Sequence, residues 1–411
     1  MYFCTEFRKA NFLTLQLMRD LQHYIRFSVF AILIFTAPIT FAQEHDQVRH
    51  EGEHSEGIVD TKDEVDAYIQ HHIADSHDFN LFSYTNDEGE RKHFGFPLPI
   101  IIWTSNGLTT FMSSEFHHND NGEVIVEENG LKFAKIHSKI YELEPGATSV
   151  NLDEEQHATN ANKVLDFSIT KSVVGILLIG LILFVWFRGL AKQYKTKKIP
   201  TGFGRALEPL VLYVRDEISR PNIGEKHYRK FTGYLLTVFF FIWFLNLFGL
   251  LPFGFNVTGQ IAVTAALAIF TLVIYTFSGN KEYWKHILWM PGVPYLIRPV
   301  LAVIELAGAF LIKPFSLLIR LFANITAGHI VVMSLIAIMF VMRETLGVVG
   351  SSFLSIVLSL LIFVIEILVA FLQAYIFTML SALFIGMAVE EHEHDEAHDV
   401  AEGAERRADV I

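Results

Sequence analysis

The chain has 411 residues, of which 52% are hydrophobic and 18% charged, against about 25% charged in ordinary soluble proteins. With a mean hydropathy of +0.36, this argues against a soluble enzyme and a disordered chain. The net charge of -12 leaves no basic surface to neutralise phosphates, so nucleic acid is not expected as a partner. The one cysteine, Cys4, excludes a disulfide framework and any Cys-based metal site.

The N-terminus reads as an export signal. Arg19 and Arg26 precede an apolar run from Phe27 to Phe35, followed by Thr40-Phe41-Ala42 and polar Gln43. The pattern predicts a cleaved signal peptide over 1–42, with Met18 as a candidate start that gives a signal of ordinary length. An uncleaved first helix is the alternative, but the run is short for a span. Residues 43–170 form an acidic, His-rich segment expected outside the cytoplasm. It holds 25 of the 44 Asp and Glu, and 11 of the 18 His lie between His45 and His157. Up to about His77 it is polar. From Asn80 to Leu143, Phe94-Gly-Phe-Pro-Leu-Pro-Ile-Ile-Ile-Trp103 and Glu123-Val-Ile-Val-Glu127 read as strands. Asn121-Gly122 and Asn129-Gly130 read as turns on either side of the second. A small β-rich domain with a solvated acidic surface is expected. No metal-ligand spacing such as HExxH is present, and neither a metal nor another cofactor is expected.

Five hydrophobic segments follow: about Ser172–Trp186, Phe231–Leu251 (ended by Pro252), Ile261–Phe277, Val300–Met342 and Leu346–Val389. The first is followed by Arg188, Lys192, Lys195, Lys197 and Lys198, which the positive-inside rule places in the cytoplasm. This agrees with an exported N-terminus and leaves the acidic tail, 390–411, inside. The fourth and fifth segments exceed the ~20 residues needed to span, so they are tilted, broken or extended beyond the bilayer. The fold class is therefore mainly α: a polytopic membrane protein with about five helical segments over 171–389. Its last two form a long tilted antiparallel hairpin, and a small β-rich extracytoplasmic domain precedes them.

Ionisable groups inside apolar helices are costly and default to functional hypotheses. Here they are Glu305, Lys313, Arg320, His329 and Glu366, with polar Asn324 and Gln373 beside them. Arg320 lies in Leu317-Leu-Ile-Arg-Leu-Phe322 and stays charged in essentially any environment. It needs a carboxylate, as in an ion pair with Glu366 or Glu305, or a water-filled groove. Ala323, Asn324, Ala327 and Gly328 form a small-residue stripe on its face, suited to close approach by another helix. In an antiparallel pairing of the last two helices, one register brings Arg320 level with Gln373 and His329 level with Glu366. Arg320 and His329 nonetheless point to opposite faces, so direct contact in both pairs requires a bend or local unwinding. A His/Glu pair at one depth can pass protons near neutral pH. Lys313-Pro314 marks a helix end or kink, and Glu305 is a candidate for lining an aqueous entrance.

At these residues the sequence resembles subunit a of the F-type ATP synthase membrane sector, the bacterial ATP synthase A chain family. The strongest match is Lys313-Pro-Phe-Ser-Leu-Leu-Ile-Arg-Leu-Phe-Ala-Asn-Ile-Thr-Ala-Gly-His329. Leu372-Gln-Ala-Tyr-Ile-Phe-Thr-Met-Leu380, Asn246-Leu-Phe-Gly-Leu-Leu-Pro252 with Asn256-Val-Thr258, and Met387-Ala-Val-Glu-Glu-His392 follow in family order. The resemblance covers about 171–392 and implies a proton-translocating stator subunit in the bacterial inner membrane. The implied partners are the c-subunit ring, the b-subunit peripheral stalk and the other ATP synthase subunits. By the same resemblance Arg320 faces the c-ring, with Asn324 and Gln373 close to it. His329 and Glu366 line one of two half-channels, in positions that many relatives carry swapped. Asn246, in the third motif, is a further channel-lining candidate. Gly249 stands where some relatives have an acidic residue, and the resemblance does not reach the exported domain. The chain has no P-loop, so a non-catalytic subunit is expected. Two other readings stay open on residues alone: a stand-alone proton-coupled transporter, and a membrane-anchored metal-binding or sensor protein.

Overall fold

The computed structural model describes residues 75–85, 91–117, 119–152, 158–196, 200–251, 256–290 and 293–390. The predicted signal segment, the polar stretch up to residue 74, Lys197, Lys198, Pro252 and tail residues 391–411 lie outside them.

The N-terminal part is all β. Strands β1 (Asp78–Thr85) and β2 (Arg91–Pro97) form an antiparallel pair. Strand β3 (Pro99–Thr104) lies between β4 (Gly107–Met112) and β9 (Leu165–Asp166). A four-stranded meander joins β5 (Asn121–Glu128), β6 (Leu131–Ile136), β7 (Lys139–Leu143) and β8 (Ala161–Lys163). Period-2 alternation drives Ile100 and Ile102 inward onto Phe111, Phe116, Val126 and Phe133, while Trp103 faces out.

Three details correct the sequence reading. The run Phe94–Trp103 is two strands in different sheets, because prolines 97 and 99 cannot donate to a continuous ladder. Asn129-Gly130 is the expected hairpin turn, with φ of 54° and 76° at its two residues. Asn121-Gly122 instead lies inside β5 at an irregularity in register, with Gly122 at φ 79°. A Cβ there would sit 2.9 Å from Ile136 Cγ1, so the backbone approach itself requires glycine. The β structure also continues past Leu143, since β8 and β9 return to complete two sheets.

The rest is helical: α1 (Lys171–Thr196), α2 (Phe203–Tyr213), α3 (Arg220–Ile223), α4 (Tyr228–Gly249), α5 (Ile261–Ser278), α6 (Lys281–Leu288), α7 (Arg298–Ala307), α8 (Lys313–Val341) and α9 (Arg343–Val389). Five stretches are long and apolar enough to cross a membrane: Lys171–Lys195, Tyr228–Gly249, Ile261–Ser278, Arg298–Met339 and Thr345–Val389. They coincide with the five hydrophobic segments of the sequence.

Helix α4 is the hub. Its apolar window is 83% buried, against 17% and 11% for the two last spans. Phe240 meets Phe187 of α1 edge-on at 5.0 Å, and Phe239 meets Phe371 of α9 at 5.7 Å. The last two spans therefore pack on one side only and leave the other open. The fourth span is broken: a π-helical turn, Gly308–Ile312, separates α7 from α8 just before Lys313-Pro314. A π turn disturbs the backbone ladder, which hydrocarbon would penalise. Here the Tyr275 hydroxyl of α5 donates to the Ala309 carbonyl. The turn into the fifth span is made at Gly347, with φ 70° and ψ 168°. At about 1.5 Å per residue, α9 is roughly twice as long as the ~30 Å hydrocarbon core is thick. Asn280 fixes the far end of α9, donating from N and Nδ2 to the Ala388 and Val389 carbonyls at 2.9 Å each.

Candidate functional site

Helix α8 is amphipathic in an unusual sense. Leu317, Leu321 and Ile325, four residues apart, are buried at 1%, 0% and 6% exposure and fix which face turns inward. The opposite face carries Arg320, Ala323, Asn324 and Ala327, all exposed. Around it lie exposed apolar side chains, among them Phe315 and Ile319. Among the described residues Arg320 makes no ion pair, so the internal pairing with Glu366 or Glu305 is absent. A permanent cation thus stands bare on an open apolar face.

The small-residue stripe needs one correction. Gly328 does not share the open Arg320 face; it is buried in the seam between α8 and α9. The Glu366 carboxylate packs directly against its Cα, where a Cβ would overlap the carboxylate oxygens. Glu366 therefore reaches α8 one residue before His329, in the antiparallel register read from the sequence. Further along the seam the Ser355 hydroxyl donates to the Leu335 carbonyl at 2.7 Å. Glu366 and His329 make no direct hydrogen bond, and neither do Gln373 and Arg320. Gln373 is 4% exposed, with Nε2 unpaired among the described residues, while Arg320 faces outward. The helix stays regular between Arg320 and His329, so the rotation between them is not relieved.

Asn246 is enclosed rather than lining a groove. It is 2% exposed, its Oδ1 accepts from the Thr258 hydroxyl at 2.8 Å, and its Nδ2 approaches the Ala370 carbonyl at 3.5 Å. It ties α4 to α9 and to the loop before α5. Glu305 is half-buried near Tyr283 of α6 and Lys313. Burial, helped by Glu305, pushes the Tyr283 hydroxyl above its usual range. The Lys313 ammonium lies over Phe384 at 5.4 Å and Tyr275 at 6.0 Å, so the break before α8 is clamped by aromatic faces.

One group of residues escaped the sequence reading. Where the β part meets α1, Asp75 Oδ1 accepts from the Ser172 backbone N–H at 3.0 Å, and the Lys171 N–H donates to the Ser76 carbonyl at 3.0 Å. Asp75 thus serves as an N-cap supplied from far away in the chain. His77, 2% exposed, places Nε2 2.7 Å from Asp166 Oδ2. Burial pushes the Asp75 carboxyl up. Burial also acts upward on Asp166, but His77 and Ser168 outweigh it and hold that carboxyl below the ordinary range. No local motif announces this cluster, because its partners are 89 and 97 residues apart in sequence.

Comparison with known proteins adds the following. Residues 173–386 match the family described as ATP synthase A chain, and residues 68–167 match a domain of unknown function. ATP synthase subunit a 2 of Chlorobaculum tepidum is 42% identical over 254 residues, covering 60% of this chain and 70% of that protein. ATP synthase subunit a 2 of Prosthecochloris aestuarii is 44% identical over 243 residues, 57% of this chain and 73% of its own length. ATP synthase subunit a of Myxococcus xanthus is 43% identical over 247 residues, 57% and 78%.

Proposed function

The chain belongs to the ATP synthase A chain family, the proton-translocating part of the F-type membrane sector, and on that premise we propose that it is the stator of proton flow. It provides two half-channels to a ring of c subunits and couples proton passage to ATP synthesis. The observation that carries this reading is Arg320: charged, exposed and, among the described residues, without an ion-pair partner on an open apolar face of α8. Such a site calls for a carboxylate from another chain.

Protons enter from outside and pass the His329/Glu366 region to a carboxyl on the rotor. The neutralised carboxyl can face lipid, where a charged one is costly. After nearly a full turn it releases its proton to the second half-channel. Arg320 stands between the channels, attracts the deprotonated carboxylate and does not itself relay a proton, which prevents a direct leak. Asn324 and Ala327 share its exposed face, and Gln373 and Asn246 support the α9 wall behind it. Each proton brings about 2.3 kcal/mol per 100 mV, so several are needed per ATP and a rotating ring suits the task. Glu305 marks a candidate opening of the inner half-channel beside Lys313. A b-subunit stalk holds the stator in place.

In this arrangement residues 1–42 are an export signal, 43–170 lie in the periplasm, 171–389 form the inner-membrane domain and 390–411 are cytoplasmic. The last two spans run as a tilted antiparallel hairpin against the ring. The test is ATP-driven proton pumping in membrane vesicles with Arg320→Ala. Loss of pumping in an assembled complex is expected; normal pumping would return Arg320 to a structural role and reopen the transporter reading.

A further inference from the structure

The fourth span lacks one backbone donor where it breaks. Pro314 has no N–H, so one carbonyl of the preceding turn goes without a helical partner. In an α register, where residue i bonds back to i−4, that carbonyl belongs to Phe310. In a π register, which bonds back to i−5, it belongs to Ala309. The chain takes the π register, with the Lys313 N–H donating to the Gly308 carbonyl. Ala309 is 2% exposed, so its carbonyl would be an unmet acceptor inside an apolar helix. The hydroxyl of Tyr275, itself 1% exposed on α5, donates to it. The Tyr275 ring also meets Phe384 of α9 edge-on at 6.0 Å, and the Lys313 ammonium lies over both rings. One side chain thereby joins α5, the start of α8 and α9.

We propose that Tyr275 is a positioning residue for Arg320: its hydroxyl selects the π register, and with it the direction in which α8 presents the arginine. This rests on the reading of Arg320 given above. A π turn acts as one extra residue in an α-helix, so closing it turns α8 by about 100° relative to α7. Both helices have an inward side to keep. On α7 the half-buried positions Arg298, Leu301, Ala302 and Glu305 share one helical face, while Val303 and Ile304 are exposed. On α8 the inward side is Leu317, Leu321 and Ile325. In an unbroken α-helix Leu317 would point about 120° away from Glu305; one residue of delay brings it to within about 20°. Rotation of α7 does not simply absorb the change, because its inward side holds both its charged groups. Arg298 is also tied down, by Nε to the Val293 carbonyl at 2.8 Å and by its guanidinium over Trp289 at 5.0 Å. Without the Tyr275 hydroxyl either register leaves one carbonyl unmet. The ordinary α preference then closes the turn and swings Arg320 off its open face.

The test maps disulfide formation, in the assembled complex, between single cysteines placed at Phe322, Ala323, Thr326 and Ala327 and a c subunit carrying a matching cysteine. With native Tyr275, the cysteines at Ala323 and Ala327 should cross-link best. Tyr275→Phe keeps the ring contacts with Lys313 and Phe384 and removes only the donor. Closing the turn advances α8 by one position. Cross-linking should therefore move towards Phe322 and Thr326, which are half-buried in the native protein. ATP-driven pumping should fall on the order of tenfold or more. Deleting exposed Leu311 from Tyr275→Phe takes out the residue that the π turn accommodates, so cross-linking should return to Ala323 and Ala327. Loss of a merely stabilising contact would lower all yields together, and shortening the chain would not repair it. Native gels report assembly. Should Tyr275→Phe not assemble, deletion of Leu311 beside native Tyr275 decides: Pro314 then stands four residues after Ala309, and the native cross-link pattern should persist in an α register. An unmoved pattern in Tyr275→Phe, no return in its shortened form, or a moved pattern in the deletion alone would overturn the proposal. If cysteines at Ala323 and Ala327 fail to cross-link with native Tyr275, the reading of Arg320 fails with it; if they cross-link and Tyr275→Phe changes nothing, this inference alone fails.

Discussion

Replacing Gly328 by alanine acts at a place where α8 and the α9 carboxylate touch. An added Cβ would lie 2.6 Å from Glu366 Cδ and 2.7 Å from Oε1. Ordinary carbon contacts begin near 3.5 Å, so the carboxylate must withdraw by about 1 Å. The obstructing atoms are the end of a flexible side chain, so little of the ~1–3 kcal/mol overpacking cost of a rigid core applies. Gly→Ala in a helix interior returns about 1 kcal/mol of propensity. The complex should therefore assemble with near-normal stability. Function should suffer, because displacement of a transfer group by about 1 Å costs up to about 10²-fold where geometry is critical. Fluorescence-quench assays of ATP-driven pumping in inverted vesicles, normalised to assembled complex on native gels, should show at least a tenfold loss. Gly189→Ala, where a Cβ meets nothing within 4 Å, is the matched control and should pump normally. Wild-type pumping by an assembled G328A complex would refute the claim that Glu366 must sit against α8 to work.

Three further outcomes are expected. Cysteines placed at Ala323 and Ala327, both exposed, should cross-link to a c subunit carrying a matching cysteine, whereas one at Leu321, with 0% exposure, should not; equal yields at all three would place the ring elsewhere. Asn246→Ala leaves the Thr258 hydroxyl without its buried acceptor. It should lower the thermal stability of the solubilised complex by about 1–3 kcal/mol while the Arg320 face stays intact, read by melting followed on native gels. The third concerns acid stability. The folded-state carboxyl of Asp166 is held below its unfolded value, so its contribution is present above about pH 4 and fades as pH falls through the lower folded value. Hydrogen exchange of Pro99–Thr104, the strand paired with β9, should accelerate on that acid limb. Asp166→Asn should be less protected at neutral pH and insensitive there; an unaltered acid limb would remove the His77–Asp166 pair from the account.

Much of the molecule was legible in the chain because hydrocarbon is an unforgiving solvent. Twenty or so consecutive apolar residues have one stable form in it, so the five crossings stand out without knowledge of what they touch. The same logic singled out Arg320, His329 and Glu366, since any charge kept in such a segment must have a purpose. Even the register of the last two helices followed from their antiparallel order. Local sequence also fixed the Asn129-Gly130 hairpin, where both residues need positive φ. Rotation and burial did not follow. Gly328 reads as one of four small residues beside Arg320, yet the facing of α8 is set by Leu317, Leu321 and Ile325 packing inward, which turns Gly328 under Glu366 and leaves Arg320 bare. Asn246 passes for a channel group until Thr258 and Ala370 close over it. The seat of the β domain was invisible for the same reason. Asp75 with Ser172 and His77 with Asp166 are joined only when the sheets fold back on the start of α1, and no periodicity records a meeting of residues so distant along the chain. Composition and periodicity dictate which segments leave water; only packing in three dimensions decides which polar groups they shelter and which they leave for another chain.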